Sequence, residues 1–157
     1  LRYFNIAGSS PSGKIGLINK SDHLFKNFSR EIIKKRPILK IYGDNYDTKD
    51  GSCIRDFIHV SDIAEIHYKV LEKINKLNNS KTLNCGYNKG ISVLEVAKTF
   101  KKQTSKKVEI FVSKRRKGDL VKIIASNSKL KNFIKWKPKF NNLNTIVKSC
   151  INWEKRQ

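Results

Sequence analysis

The chain has 157 residues, enough for one domain with a hydrophobic core, and 38% of them are hydrophobic. It contains no apolar run of about 18 residues and no N-terminal signal pattern, so we expect no membrane partner. Its three cysteines are far apart and lack the spacing of metal ligands. We therefore expect neither a disulfide framework nor a metal site, and a reducing, cytoplasmic environment.

The formal net charge is +21, since 34 Lys and Arg residues outnumber 13 Asp and Glu residues. A basic surface attracts phosphate backbones, which makes a non-catalytic nucleic-acid-binding module one alternative. The lysines, however, are spread along the whole sequence. The densest run, residues 101–117, includes Val108, Ile110 and Val112 in alternation, the pattern of a half-buried strand. We expect a solvated basic surface and no nucleic-acid partner.

The sequence has no Met and opens with residues 1–6, which predict a buried strand with no capping or turn residue before it. Leu is also not the small residue that normally remains first when an initiator Met is removed. We therefore expect this chain to be a fragment whose N-terminal part is missing.

Strand and helix patterns alternate along the rest of the chain. Gly, Ser, Asp and Asn are dense at residues 7–22 and 43–52, which predicts loops, and a charged loop is expected at residues 115–119. Helices are expected at residues 23–35, 61–74, 93–100, 128–133 and 143–155, and extended segments at 38–42, 57–60, 82–85, 108–112 and 121–125. Ser61 is the expected cap of one helix, and Ser92 with Glu95 forms a capping-box pattern before the next. The alternation predicts an α/β fold with a small mixed sheet.

Three clusters of polar residues could bind a ligand. Asn5 ends the first predicted strand, where ligands of open α/β sheets bind, although it could simply cap the turn. In the second cluster, residues 50–60, Arg55 is flanked by apolar residues and suits phosphate recognition. A buried structural pair between Arg55 and Asp56 is the alternative. His59 in the same segment is expected to be a satisfied core histidine.

The third cluster is the cationic loop at residues 114–119. It could bind a diphosphate, with Asp119 accepting a hydrogen bond from a sugar or ribose hydroxyl, or it could be a basic turn without a ligand. None of the three clusters contains a nucleophile beside a base, a metal-ligand set or a phosphate-binding glycine loop. The sequence thus predicts binding residues and no catalytic residue.

The three polar clusters and the segments between them, taken in their order along the chain, resemble the UDP-glucose 4-epimerases. These enzymes are extended short-chain dehydrogenases/reductases. The matching stretches are residues 1–8, 11–13, 39–48, 50–62 and 115–119, and the resemblance continues to about Trp153. The pattern Asp-Gly-x-Cys-x-Arg-Asp-aromatic-Ile-His-Val at residues 50–60 is highly specific. The Arg-Arg-x-Gly-Asp loop is shared more widely among nucleotide-sugar enzymes.

The resemblance implies the C-terminal, substrate-binding part of a fold with a NAD-binding Rossmann domain. Residues 1–8 would be the last part of the NAD-binding domain, and residues 9–157 would form the UDP-sugar-binding part. The implied reaction interconverts UDP-glucose and UDP-galactose through a 4-keto intermediate, with NAD taking and returning the hydride. The family's Gly-rich NAD loop and catalytic Tyr-x-x-x-Lys pair cannot be located here. We expect the chain alone to be inactive and the full-length enzyme to be a homodimer.

The family pattern also implies roles for single residues. Phe4 is expected near the nicotinamide of NAD and Asn5 against the sugar-phosphate. Arg55 and Arg116 are expected to bind the diphosphate, and Asp119 a ribose hydroxyl. The residues expected to enclose uracil and ribose are Leu24, Lys40, Ile41, Tyr42 and Val93.

Ile123 falls where the resemblance implies a residue that limits room around the sugar's C2 substituent. In the family, a small residue there accompanies acceptance of N-acetyl sugars, and a bulky aromatic residue accompanies their exclusion. Ile at this position therefore predicts a preference for UDP-glucose and UDP-galactose.

Two positions depart from the family pattern: His23 stands where some members have Asn, and Ser126 replaces a usual Asp. An epimerase of another UDP-sugar, such as UDP-xylose/arabinose or a uronic acid, is the alternative within enzymes.

Overall fold

The computed structural model describes residues 1–18, 23–75 and 77–157, so residues 19–22 of the expected loop at 7–22 lie outside the described part of the chain. The helices are α1 (Leu24–Ile32), α2 (Val60–Ile74), α3 (Val93–Lys101), α4 (Ser128–Ile134) and α5 (Leu143–Glu154). The strands are β1 (Arg2–Tyr3), β2 (Asn5–Ala7), β3 (Ile38–Tyr42), β4 (Ile54–Arg55), β5 (Phe57–His59), β6 (Asn84–Cys85), β7 (Ile91–Ser92), β8 (Glu109–Ser113) and β9 (Lys122–Ile123). None of the described helices combines the length and apolar character needed to span a bilayer.

The strands form small, mainly parallel sheets. β1 pairs with β6, β2 with β5 and β3 with β8, all in parallel. β4 lies between parallel β9 and antiparallel β7. Because parallel strands require crossover connections, helices lie between most of the paired strands in the chain. The expected α/β class with mixed pairing is confirmed.

The core lies between α1, α3 and α5 and is rich in phenylalanine. The ring of Phe25 contacts those of Phe57 and Phe100 edge-on, with centroids 5.0 and 5.6 Å apart. Phe28 meets Phe100 at 5.5 Å in the same geometry, and all four rings are buried. Such edge-to-face contacts stabilise a core beyond the burial of area alone.

Two expected strands are more exposed than their sequences predict. The first strand is interrupted at Phe4, and Leu1 and Tyr3 are 38% and 49% exposed, so the predicted burial of residues 1–6 is wrong for this chain. In the 108–112 segment, Val108 is buried but Val112 is 40% exposed. Within the described residues β1, β2 and β8 each pair with a single strand, which leaves part of each strand open to solvent.

Helix α2 begins at Val60, and the expected cap at Ser61 is wrong. His59 is the N-cap, because its ring Nδ1 accepts a hydrogen bond from the Ser61 backbone N–H at 3.1 Å. Burial lowers the pKa of His59, which favours the neutral ring that this acceptor role requires. The ring also stacks on Phe140 at a centroid distance of 4.6 Å. The prediction of a satisfied core histidine is confirmed. At α3 the Ser92 half of the expected capping box is confirmed, since Ser92 Oγ accepts from the Glu95 N–H at 3.0 Å.

A buried ion pair joins α1 to α5. Lys26 Nζ lies 2.7 Å from Glu154 Oε2, and the two side chains are 7% and 8% exposed. Lys26 Nζ also donates to the Leu17 carbonyl at 2.9 Å, and Trp153 Nε1 donates to the same oxygen at 3.0 Å. The segment after β2 is therefore tied to both helices.

The carboxylate of Asp56 is fully buried and accepts three backbone N–H groups. Two come from the turn at residues 87–88, both at 2.9 Å, and the third from Ala125 at 3.2 Å. The Asp56 backbone N–H donates to the Ile123 carbonyl at 3.1 Å, and its carbonyl accepts from the Asn5 N–H at 3.2 Å. Asp56 therefore joins β2, the turn after β6 and the segment of β9.

Asp56→Asn should destabilise the fold, because an amide presents an NH₂ donor where the carboxylate presents an acceptor, and at least one buried N–H would lose its partner. We expect the free energy of unfolding, measured by urea denaturation, to fall by about 3 kcal/mol. Asp47→Asn is the control: its side chain is exposed, so the change should stay within about 0.5 kcal/mol. Equal changes in the free energy of unfolding for the two variants would show that the hydrogen bonds to the Asp56 carboxylate do not stabilise the fold.

Candidate functional site

A cleft of about 310 Å³ opens between α1, the end of β3, β4 and the first turn of α3. Nine of the ten residues for which the sequence predicts substrate contacts line it: Asn5, Leu24, Lys40, Ile41, Tyr42, Arg55, Val93, Arg116 and Asp119. These residues come from segments distributed over more than two thirds of the chain, and the fold brings them to one place. Their contact with substrate stays a prediction.

Ile123 and Phe4 are not among the residues that line the cleft in the described chain. Ile123 is half-buried in β9, where it is the register partner of Arg55 in β4. Phe4 is half-buried at the interruption between β1 and β2. The expected roles of these two residues, at the sugar and the nicotinamide, also stay predictions.

A second cavity, of about 370 Å³, lies on the other side of His23, between the segment after β2 and helices α1 and α5. Its walls are mainly apolar, with Leu17, Phe25 and Trp153 among them. The one lysine in its lining, Lys26, is already neutralised by Glu154. The smaller cleft is therefore the better candidate for an anionic ligand, since two arginines border it.

Arg55 and Asp56 lie next to each other in an extended segment, so their side chains point to opposite sides. Asp56 points into the core, whereas Arg55 lines the cleft and lies 3.4 Å from Asp119, measured from Nη2 to Oδ1. Arg55 Nη1 also donates to the Leu120 carbonyl at 2.8 Å. The alternative of a structural Arg55–Asp56 pair is wrong. The guanidinium is held at the cleft by the loop that carries Asp119.

Arg116 reaches the cleft from the cationic loop. Its guanidinium carbon lies 4.0 Å from the centroid of the Tyr42 ring, and Lys40 Nζ lies 5.1 Å from the same centroid. A hydrogen-bonding interaction with the Arg116 guanidinium is the main cause of a lowered pKa at the Tyr42 hydroxyl, and the positive charges of Lys40 and Arg116 lower that pKa further, since they favour the phenolate. One edge of the cleft thus combines an aromatic face with concentrated positive charge.

The opposite wall is held by a network around Asp50. Its carboxylate accepts from the Ser52 N–H at 3.0 Å and from the hydroxyls of Ser52 and Ser92. Burial alone would raise the pKa of Asp50, but the hydrogen bonds from Ser92 and Ser52 lower it overall. The Val93 N–H donates to the Cys53 carbonyl at 3.0 Å. The network therefore fixes Val93 and Cys53 at the surface of the cleft.

Five further lining residues are not predicted from the sequence as site residues: His23, Asn27, Phe28, Cys53 and Phe57. Periodicity could have found four of them. Asn27 and Phe28 follow Leu24 by three and four positions on α1, and Cys53 and Phe57 lie two positions either side of Arg55 in extended chain. Burial lowers the pKa of His23, and its Nδ1 has no hydrogen-bond partner among the residues described.

In doubly wound folds, dinucleotides bind at glycine-rich turns between a strand and a helix. Two strands lead directly into helices, β5 into α2 and β7 into α3, and these helices begin at His59 and Ser92 caps. Neither junction has the glycine-rich turn that lets a pyrophosphate approach a helix N-terminus. These two junctions therefore lack the features of a dinucleotide site.

Comparison with known proteins matches residues 1–86 to the NAD dependent epimerase/dehydratase family. A UDP-glucose 4-epimerase of Azospirillum brasilense is 39% identical over 156 residues, which are 99% of this chain and 45% of the relative. The chain thus spans about half the length of the curated relatives it matches.

Solved structures agree with the sequence comparison. The UDP-glucose 4-epimerase of Stenotrophomonas maltophila, with bound NAD and formylated UDP-arabinopyranose, superposes with a TM-score of 0.91 at 30% identity, over 99% of this chain and 46% of the other. The UDP-Glc/GlcNAc 4-epimerase of Campylobacter jejuni is 41% identical with a TM-score of 0.78, over 99% of this chain and 47% of the other. The fold is that of one part of an extended short-chain dehydrogenase/reductase, and the chain belongs to the NAD dependent epimerase/dehydratase family.

Proposed function

We propose that this chain supplies the UDP-sugar-binding part of a UDP-glucose 4-epimerase, which interconverts UDP-glucose and UDP-galactose. The observation that carries the proposal is the convergence of Arg55, Arg116 and Asp119 with an apolar wall on one cleft. Two arginines suit a diphosphate, because planar guanidinium groups form charge-assisted, bidentate hydrogen bonds with phosphate oxygens. The name carried by relatives that are 39% and 40% identical over nearly the whole chain supports the same function.

In this proposal the cleft holds the nucleotide while the sugar changes orientation. Arg55 and Arg116 bind the diphosphate, and Asp119, which already faces Arg55, accepts a hydrogen bond from a ribose hydroxyl. Leu24 and Val93 cover the apolar surface of the base next to Tyr42. Asn5 is the first residue of β2, so the expectation that it ends a strand is wrong. Its Nδ2 donates to the Asp56 carbonyl at 3.2 Å, and in this proposal its side chain contacts the sugar-phosphate. NAD, bound mainly outside this chain, would supply the hydride acceptor and donor for C4 of the sugar.

The assembly and location of the complete enzyme are also part of the proposal. We expect a homodimer in the cytoplasm that does not bind nucleic acid. The free thiols of Cys53, Cys85 and Cys150 support a reducing compartment, and burial raises the pKa of all three, to about 12 for Cys150. In this proposal the many lysines form a solvated surface that does not bind nucleic acid, which accounts for the high positive charge.

The 157-residue chain by itself should not epimerise UDP-sugars. It spans about half of its relatives' length, and its sequence has no Tyr-x-x-x-Lys pair that could act as general base. The purified chain with added NAD should give no detectable UDP-galactose from UDP-glucose in a chromatographic assay. Interconversion above the enzyme-free background would contradict this expectation.

Arg116→Ala in the complete enzyme should weaken UDP binding about 30-fold, or about 2 kcal/mol, because a charge-assisted hydrogen bond to phosphate is lost. Lys117→Ala is the matched control. The Lys117 side chain is exposed on the same loop and does not line the described cleft, so little change is expected. Calorimetric titration with UDP measures both. Equal losses, with salt-dependent retention on DNA, would favour the nucleic-acid-binding alternative.

An epimerase that also accepts N-acetyl sugars is the second candidate. It is favoured by the 41% identity to a protein named for both UDP-Glc and UDP-GlcNAc. Ile123 does not line the described cleft, but the family pattern places it beside the sugar. Its β-branched side chain has few rotamers with which to move aside, which argues against efficient use of the larger sugar. We propose a preference for UDP-glucose and UDP-galactose, with weak turnover of the N-acetyl forms. The similarity to uronic acid epimerases, at 19–20% identity, supports a common fold only.

Ile123→Ala should raise kcat/KM for UDP-N-acetylglucosamine relative to UDP-glucose, and Ile123→Tyr should lower it. The reason is space, since forcing extra atoms into a packed site typically costs about 1–3 kcal/mol. Steady-state kinetics with both sugars give the ratio for each variant, and Ile124→Ala at the next position is the control. If neither substitution at position 123 changes the ratio, Ile123 does not limit the space around the sugar.

A further inference from the structure

The cationic loop at residues 114–119 is mostly exposed, yet its arginines occupy defined positions. It begins after Ser113, where the Gly43 N–H donates to the Ser113 carbonyl at 2.8 Å, and it ends at Asp119, which faces Arg55. Between these two points, Arg115 and Arg116 each lie over a tyrosine ring. These two stacked pairs, Arg115–Tyr46 and Arg116–Tyr42, are contacts that could hold the middle of the loop against the body of the protein.

The Arg115–Tyr46 pair is the more firmly anchored of the two. The guanidinium carbon lies 3.9 Å from the centroid of a Tyr46 ring that is 4% exposed. The Tyr46 N–H donates to the Gly51 carbonyl at 2.8 Å, which fixes its backbone. Gly43, at φ +81°, packs against both partners: a Cβ there would lie 2.5 Å from Arg115 Cγ and from Tyr46 Cε2. Only glycine therefore allows this close approach.

The two stacked pairs lie on either side of Gly43. Tyr42 ends β3 and Tyr46 follows four positions later, while Arg115 and Arg116 are consecutive. The adjacent arginines therefore project to different tyrosines. If Arg115 is anchored on Tyr46, the loop backbone is held where Arg116 reaches Tyr42 at the cleft. Arg115 itself does not line the described cleft.

We propose that Arg115 is a positioning residue: by stacking on Tyr46, it fixes the loop so that Arg116 is held over Tyr42, ready to bind a diphosphate. The ligand-binding part of this inference rests on the proposed function, because it concerns the same cleft. The geometric part does not, because it concerns where Arg116 lies without ligand.

Calorimetric titration of the complete protein with UDP and with uridine tests the ligand-binding part. Arg115→Lys keeps the charge but loses the planar group that stacks, and Tyr46→Leu removes the ring. Each should weaken UDP binding about 5-fold and leave uridine binding unchanged. Tyr46→Phe keeps the stack and should bind UDP as the parent does. In an Arg116→Ala background, Arg115→Lys should cause no further loss of UDP affinity, because Arg115 acts through Arg116.

Titration of the Tyr42 hydroxyl by ultraviolet absorbance tests the geometric part without any ligand, with Tyr42→Phe identifying its contribution. The cations that face this phenol are Arg116 from the loop and Lys40 from β3. Arg116 is the main cause of the lowered pKa of Tyr42, so Arg115→Lys should raise that pKa towards its ordinary value.

An unchanged Tyr42 titration in Arg115→Lys would overturn the inference, as would additive losses of UDP affinity in the double variant. Equal loss of UDP and uridine binding would also overturn it, because that result indicates general distortion of the cleft. A parent protein that does not bind UDP would refute the proposed function. The Tyr42 titration would still decide whether Arg115 positions Arg116.

Discussion

The buried carboxylate of Asp56 determines how the segments around the cleft are arranged. A carboxylate that is removed from water must be supplied with donors, and three backbone N–H groups from two distant segments converge on it. Its position also requires Gly86, because a Cβ there would lie 2.7 Å from Asp56 Oδ2. The turn after β6 and the chain beyond β9 are therefore held against β4 and β5.

The orientation of Arg55 follows from that of Asp56. Since neighbouring side chains in an extended segment alternate, an inward Asp56 turns Arg55 to the other side, where the cleft lies. The parallel pairing of β4 with β9 also sets the position of the loop that precedes β9 and carries Asp119 and Arg116. The buried carboxylate of Asp56 thus helps to place Arg55, Arg116 and Asp119 at the candidate site.

Local charge arrangement matters more for the cleft than the net charge of +21. Most lysines lie on the surface, and Lys26, which is buried, is neutralised by Glu154. The two arginines at the cleft differ because each is oriented: Arg55 by Asp119 and carbonyl oxygens, and Arg116 by an aromatic face. Oriented guanidinium groups are suited to one phosphate geometry, whereas dispersed surface lysines attract any anion.

The sequence by itself determined the features that depend on neighbouring residues. The β3 strand at Ile38–Tyr42 and the Ser92 cap agree with the structure, because alternation and capping are local. Motifs of specific spacing indicated Asn5, Arg55 and Asp119 as candidate site residues, and the family resemblance implied the other residues. Only the tertiary structure decided that Arg55 pairs with Asp119, 64 positions away, and that His59 caps α2. It also decided the exposure of the first strand and the stacking of Arg115 on Tyr46. The Arg55–Asp119 and Arg115–Tyr46 contacts join segments that are distant in the chain, about which local propensity carries no information. The His59 cap is a local contact, but the rotamer that turns the ring Nδ1 towards the Ser61 N–H is set by the buried surroundings of the ring.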